Sequence, residues 1–176
     1  MPNCIGPENL EDDSERWEKL AQSLEKKDQD RSASGRPSLR PILMRSVDPI
    51  DYMNPAPRSA QQLIWIKASG SLEQTGVSED LGLHRAILAY ASDFSLMGTS
   101  LLPHAVSLLN PKLQPASLDH CIWFHDDFKV DEWLLYAMDS PRSSHARGLN
   151  RGSFFTRDGC LVASTIQEGL IRLRTD

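Results

Sequence analysis

Residues 78–98 read SEDLGLHRAILAYASDFSLMG, and their spacing decides the class of fold. Leu83, Ala86, Ile87, Tyr90, Phe94 and Met97 fall at i, i+3, i+4, i+7, i+11 and i+14, a single apolar stripe of helical period. The spacing predicts a helix over this stretch with the stripe as its buried face. Ser78 is placed to cap it, and Glu79 and Asp80 put negative charge in the first turn, where the helix dipole favours it. Gly98 can end the helix, and Pro103 lies beyond it.

Around that helix the chain reads as strand. On its N-terminal side, QQLIWIKAS (61–69) carries the short apolar run Leu63–Ile66, of strand length. Before it, Pro37 and Pro41 bracket a shorter strand candidate with Leu39, Ile42, Leu43 and Val47 as its apolar content. The segment between, DPIDYMNPAPRSA (48–60), holds three prolines and reads as an irregular connection. After the helix, Ser117–His125, Glu132–Asp139, Ser143–Thr156 and Cys160–Leu173 all read as strands. Arg157-Asp158-Gly159 between the last two is a hairpin signal, because Asp-Gly accepts the positive φ that tight hairpins need. The order is α+β: one long apolar helix, with an antiparallel sheet available to cover it.

Composition bounds the rest. The 176 residues carry a formal net charge of −5 and are 40% apolar, enough for one domain with a core of its own. An acidic balance argues against nucleic acid as partner, since that needs a surplus of Lys and Arg. No apolar run approaches a membrane span, and the acidic opening MPNCIGPENLEDDSE is unlike a secretory signal. Cys4, Cys121 and Cys160 are odd in number and lack metal-ligand spacing, which fits a reducing compartment and no bound metal. Residues 1–36 form a charged, linker-like N-terminal segment, with nine acidic and seven basic side chains across residues 1–40. Leu10, Trp17, Leu20 and Leu24 within it are spaced for a short amphipathic helix over 10–27, although a solvated linker reads equally well. Residues 37–176 are the expected domain.

No Walker loop, GxGxxG, HExxH, CxxC or GxSxG occurs, which removes the common nucleotide, zinc and serine-hydrolase readings and implies no cofactor. Three polar groups in apolar surroundings stand out instead. Asp93 flanks the helix stripe beside Gly82, Ala86 and Ala89; it is either a buried-edge carboxylate needing a partner or a solvent-facing loop cap. Asp119 and His120 lie in SLDHCIWFH, where a regular strand puts Ser117, Asp119, Cys121, Trp123 and His125 on one face. Neighbours in one strand point oppositely, so Ser117, Asp119 and His120 do not make a nucleophilic triad. Gln167 shares a face with Leu161, Ala163, Thr165 and Ile171, where an amide can orient a water or satisfy strand backbone. Arg142, Arg147 and Arg151 are candidates for phosphate, or simply exposed on an outer sheet face.

Taken in order, YASDFSLMGTSLLPH (90–104), SLDHCIWFH (117–125), DEWLLYAMDSP (131–141), ARGLNRGSFFTRDG (146–159) and LVASTIQEGLIR (161–172) resemble the C-terminal half of the acyl-CoA thioesterase II family. The resemblance runs from about residue 36 to the end and is densest over 81–172. It implies a single hotdog domain, a long helix wrapped by a curved antiparallel sheet, and hydrolysis of fatty acyl-CoA to free fatty acid and CoA. It also implies a site in which an Asp, a Thr or Ser and a Gln hold the attacking water: here Asp93, Ser117 and Gln167. Asp126-Asp127 stand where Arg-Pro or a similar pair is usual in that family.

The family carries two hotdog repeats and this sequence resembles the second. A lone repeat implies a homodimer or pairing with another hotdog. The alternative is a truncated, weakly active half that serves as a binding or assembly module. A hotdog hydratase is a further possibility, but it needs a His beside the helical acid, and His84 is nine residues, ~13 Å of rise, from Asp93. The sequence ends in Arg-Thr-Asp rather than a Ser-Lys-Leu type signal, so a cytoplasmic setting is expected, with the peroxisome as alternative.

Overall fold

The computed structural model describes residues 1–25 and 41–174. Two α-helices, α1 (Asp13–Glu25) and α2 (Leu81–Ser92), accompany seven strands: β1 (Ile42–Ser46), β2 (Gln61–Ala68), β3 (Leu113–Ser117), β4 (Cys121–Phe124), β5 (Leu134–Ser144), β6 (Arg147–Phe155) and β7 (Leu161–Leu173). All pairings are antiparallel, in the order β1-β2-β5-β6-β7-β3, with β4 following β3 along the same edge of β7. The α+β expectation, one helix against one antiparallel sheet, is the arrangement found. The Leu39 part of the first strand candidate, and the 36/37 domain boundary, lie outside the described residues.

Helix α2 departs from the sequence reading in three ways. Asp80, not Ser78, caps it: its Oδ1 accepts from the Leu83 amide at 3.1 Å. The face turned to the sheet is His84, Leu88, Ala91 and Ser92, with only Ile87 and Phe94 of the expected stripe packed against the core at its edge. Leu88 and Ala91 join Ile64, Ile66, Leu134, Tyr136, Phe154, Val162 and Ala163 in the core. Along the expected stripe, Leu83 and Ile87 are half-buried, and Ala86 and Tyr90 are exposed, Tyr90 by 56%.

The helix also stops at Ser92, six residues before Gly98. The Ser92 carbonyl accepts a hydrogen bond from the Tyr136 hydroxyl at 2.7 Å, a tertiary donor in place of the next turn's amide. Ser95 then takes φ 64°, a left-handed value that ends helical propagation, and a 3₁₀ helix follows over Met97–His104. Two residues with no turn signature of their own, Tyr136 and Ser95, therefore set the helix end.

His84 is the buried polar member of the packed face. The Val130 amide donates to its Nδ1 at 3.1 Å, so Nε2 carries the hydrogen and donates to the Ser78 carbonyl at 2.8 Å. Both nitrogens are satisfied, and His84 ties the loop before α2 to the strand connection at Val130.

The strands depart from the sequence reading at one hairpin and follow it at another. Ser143–Thr156 is not one strand: β5 runs on to Ser144, and a two-residue turn at His145 and Ala146 separates it from β6. Both turn residues sit at positive φ, 53° and 59°, as a type I′ hairpin demands. Neither is Gly, Asn or Asp, so the turn chemistry was invisible in the sequence. The hairpin at Arg157-Asp158-Gly159 forms as expected, with Gly159 at φ 96° and its amide donating to the Thr156 carbonyl at 3.0 Å.

The N-terminal segment is helical over α1 and attached to the sheet. Asp13 accepts from the Ser46 amide at 3.1 Å and the Ser46 hydroxyl at 2.7 Å. Desolvation keeps the Asp13 carboxyl above the usual carboxylate range despite these donors. Trp65 Nε1 donates to the Ile5 carbonyl at 2.9 Å, and Trp17 packs against Tyr52 with ring centroids 4.7 Å apart. Ile5 lies on the Trp65 side of β2, whereas Ser46, opposite Ile64, holds α1 on the other side, and Ile64, Trp65 and Ile66 are all buried despite alternating sides.

Candidate active site

Ser117–His125 is expected to be one regular strand, but the structure inserts a bulge. Ser117 faces Gly169 on β7, while Cys121 faces Ile166. Four steps on one strand therefore match three on the other, leaving one extra residue between β3 and β4. Directly opposed residues share a face, so Ser117 lies on the inner side with Gly169 and Gln167, while Cys121 lies on the outer side with Ile166. The sequence reading had Ser117 and Cys121 on one face. A one-residue slip reverses every side chain beyond it, and this one turns Ser117 inward. The bulge is held by the Leu118 amide on the Glu168 carbonyl at 2.9 Å and by Asp119 Oδ1, which accepts from the Glu168 amide at 2.8 Å.

Gln167 is fully buried on the inner face of β7. Its Nε2 donates to Asp93 Oδ1 at 2.5 Å and to Ser117 Oγ at 3.1 Å. One amide thus links the end of α2 to the end of β3. Asp93 stands at the C-cap of α2, where the side chain leaves the helix axis, and is 56% exposed. Ser117 is exposed as well. The cluster is a buried anchor with two groups reaching out from it, a geometry suited to holding a water between a carboxylate and a hydroxyl. Gln167 Oε1 is buried without a partner, as is Oδ1 of Asn150, its neighbour across β6 and β7. The structure brings together Asp93, Ser117 and Gln167, the three residues that the family resemblance implies.

His120 is the residue whose place the sequence reading did not give. The bulge directs it to the end of α2, where Nε2 lies 2.7 Å from Ser92 Oγ and Nδ1 lies 3.8 Å from Asp93 Oδ1. Its signal in the sequence was a polar pair at the start of a strand, but only the extra residue in the β3–β4 edge turns it toward Asp93. The expected phosphate candidates are engaged otherwise: Arg151 pairs with Asp139 at 2.5 Å and Arg147 with Glu168 at 3.3 Å, while Arg142 is exposed. Asp127 pairs with Arg85 of α2 at 2.9 Å. Among the described residues no cluster of His, Cys, Asp and Glu is arranged to hold a metal ion, and no helix is long and apolar enough to cross a membrane.

Beside the cluster lies a cavity of about 970 Å³ between α1, the start of the sheet and the 3₁₀ helix. Phe94 and Ser95, which follow Asp93 in the chain, line it together with Trp17, Met44, Ile64 and Leu101.

The acyl-CoA thioesterase family model matches residues 48–170. The chain is 35% identical over 172 residues to acyl-CoA thioesterase 2 of Haemophilus influenzae, an alignment covering 98% of this chain and 57% of that protein. The crystal structure of the acyl-CoA thioesterase II TesB2 from Mycobacterium marinum superposes with a TM-score of 0.69 at 33% identity, over 99% of this chain and 56% of the other. A protein from Alicyclobacillus acidocaldarius described as having a hot dog fold superposes at a TM-score of 0.63 and 13% identity, over 99% of this chain and 55% of that one, a likeness of fold alone. The sheet with its packed helix is thus a hotdog. The chain spans about half the length of these relatives. With a family model matching most of its length and a relative sharing about a third of its residues from end to end, the chain belongs to the acyl-CoA thioesterase family.

Proposed function

We propose that this chain hydrolyses fatty acyl-CoA thioesters, with Asp93, Ser117 and Gln167 holding the attacking water. The observation that carries the reading is the Gln167 amide, fully buried and bonded at once to Asp93 at 2.5 Å and Ser117 at 3.1 Å. Asp93 accepts a proton from the water as its oxygen bonds to the thioester carbon. Ser117 fixes that water by a hydrogen bond, and Gln167 sets the separation of the two. The tetrahedral adduct collapses with loss of the CoA thiolate, and the proton on Asp93 neutralises it. No covalent acyl-enzyme is needed, because a thiolate leaves readily once water is positioned. The cavity that starts at Phe94 and Ser95 is mostly apolar in its lining and suits an acyl chain.

The open stripe on α2 bears on assembly. Tyr90 is 56% exposed, and it meets Phe94 edge-on with ring centroids 5.0 Å apart. Leu83, half-buried, continues the same strip. Together with a chain about half its relatives' length, this supports pairing with a second hotdog, either another copy or a separate first repeat. The same observation favours a second reading, in which the chain is a weakly active half whose role is assembly.

The test is release of CoA thiol from medium- and long-chain acyl-CoAs, followed with a thiol reagent, with molecular mass measured in the same buffer. Asp93→Asn should lower kcat by at least about 10²-fold, the range for loss of a general base, without lowering the melting temperature. Ser117→Thr should retain turnover and Ser117→Ala lose it. Turnover in Asp93→Asn equal to the parent would refute the site. An inactive chain revived by a separate first repeat would establish the assembly reading.

A further inference from the structure

The hydrogen count around His120 is informative. Ser92 Oγ has one hydrogen and two acceptors within reach, the Ala89 carbonyl at 2.8 Å and His120 Nε2 at 2.7 Å. When that hydrogen goes to Nε2, the ring hydrogen of the neutral imidazole sits on Nδ1. Nδ1 is then a donor. It is buried without a hydrogen-bond partner, and it faces Asp93 Oδ1 at 3.8 Å. In the other tautomer Nδ1 would turn a lone pair toward a carboxylate oxygen, at a cost of about 1–3 kcal/mol for the orphaned atom.

Other charged groups around it are already engaged. Asp119, its chain neighbour, accepts from the Glu168 amide, and the Glu168 carboxylate pairs with Arg147. The Tyr136 hydroxyl donates to the Ser92 carbonyl and lies 3.1 Å from Thr165 Oγ1. Asp93 is the carboxylate within 4 Å of this imidazole.

We propose that His120 is a positioning residue for Asp93. A proton held on Nδ1 is directed at Oδ1, the oxygen that already accepts from Gln167 at 2.5 Å. The bond from Gln167, with Nδ1 directed at the same oxygen from 3.8 Å, biases the rotation of the carboxylate and leaves Oδ2 as the oxygen that takes the proton of the water. The inference rests on the reading of Asp93 as the base. The β3–β4 bulge is what makes it possible, because it turns Ser117 and His120 toward the same carboxylate from one short segment.

The two nitrogens can be tested apart. In His120→Asn the amide stands where Nδ1 stood, and in His120→Gln it reaches the place of Nε2. His120→Asn should keep most of the turnover. His120→Gln, which retains only the tie to Ser92, should lose kcat on the order of 10²-fold with KM nearly unchanged, the scale of a misplaced reacting group. The opposite order, or full turnover in both variants, would overturn the proposal. A measurement on the unaltered histidine guards against variants that fail to fold and against a chain that needs a partner to turn over. In imidazole nitrogen NMR, Asp93→Asn should move the Nδ1 signal of His120 more than its Nε2 signal; an unmoved Nδ1 would overturn the proposal by itself. If Nδ1 responds while Asp93→Asn retains full turnover, the pairing stands and the reading of Asp93 as base falls. If turnover is lost and Nδ1 is unmoved, that reading stands and the role of His120 falls.

Discussion

Gln167→Glu is the substitution that tests the site most directly, because it changes charge while keeping shape. Gln167 is fully buried, and its Nε2 lies 2.5 Å from Asp93 Oδ1. In the variant a carboxyl oxygen takes the place of Nε2. Two unit charges at that 2.5 Å separation repel by about 6–7 kcal/mol at an effective dielectric of about 20. Asp93 is 56% exposed, and solvent screening reduces this by roughly half, to about 3 kcal/mol. At about 1.4 kcal/mol per pKa unit, the introduced carboxyl should titrate about two units above the ordinary Glu value of about 4.3.

The folded state then holds a proton that the unfolded state has lost, so stability falls as pH rises from about 4.3 and levels off above about 6.5. Below about pH 4 the protonated carboxyl still donates to Asp93, and the loss is confined to the hydrogen bond to Ser117, about 0.5–1.5 kcal/mol. Urea unfolding of parent and variant at about pH 4 and about pH 7.5 should show a deficit about 3 kcal/mol larger at the higher pH. A deficit equal at both pH values would mean that residue 167 and Asp93 are not in contact, and the reasoning about the site would fail with it.

Other consequences follow from the same packing. Gly152→Ala should cost about 1–3 kcal/mol by overpacking, read as a lowered melting temperature, because a Cβ there lies 2.3 Å from a Tyr136 ring carbon and 2.6 Å from Thr165 Oγ1. Since Tyr136 caps the Ser92 carbonyl beside Asp93, turnover should fall as well. His84→Leu should cost about 2–4 kcal/mol by stranding the Val130 amide and the Ser78 carbonyl, with kcat of the folded fraction unchanged. Leu88→Ala, at a fully buried position, should cost about 2–5 kcal/mol in urea unfolding. Tyr90→Asp should lower the mass seen by light scattering, if α2 pairs with a second hotdog, and leave the monomer's melting temperature close to the parent's.

The sequence by itself determined the class of fold and much of the site. Period identifies α2 and the main strands, because helices and strands repeat their apolar residues at 3.6 and 2.0 positions whatever they pack against. Asp93 and Gln167 stood out because polar groups beside apolar ones require partners, and the family motifs added Ser117. What period cannot report is which face of an element meets which neighbour. The stripe from Leu83 to Met97 runs past the end of α2 at Ser92, and the sheet covers His84, Leu88, Ala91 and Ser92. The choice is made by Tyr136, whose ring stacks on Phe154 at 3.9 Å and whose hydroxyl bonds the Ser92 carbonyl from 44 residues away. The bulge between Ser117 and Cys121 is of the same kind. Nothing local marks it; it exists because β3 and β4 pair with one strand, β7, in registers that differ by one residue. That single residue, a property of pairing across 50 positions of chain, brings Ser117 Oγ within 3.1 Å of Gln167 Nε2. It also turns His120 toward Asp93, which the order of residues along a regular strand does not do.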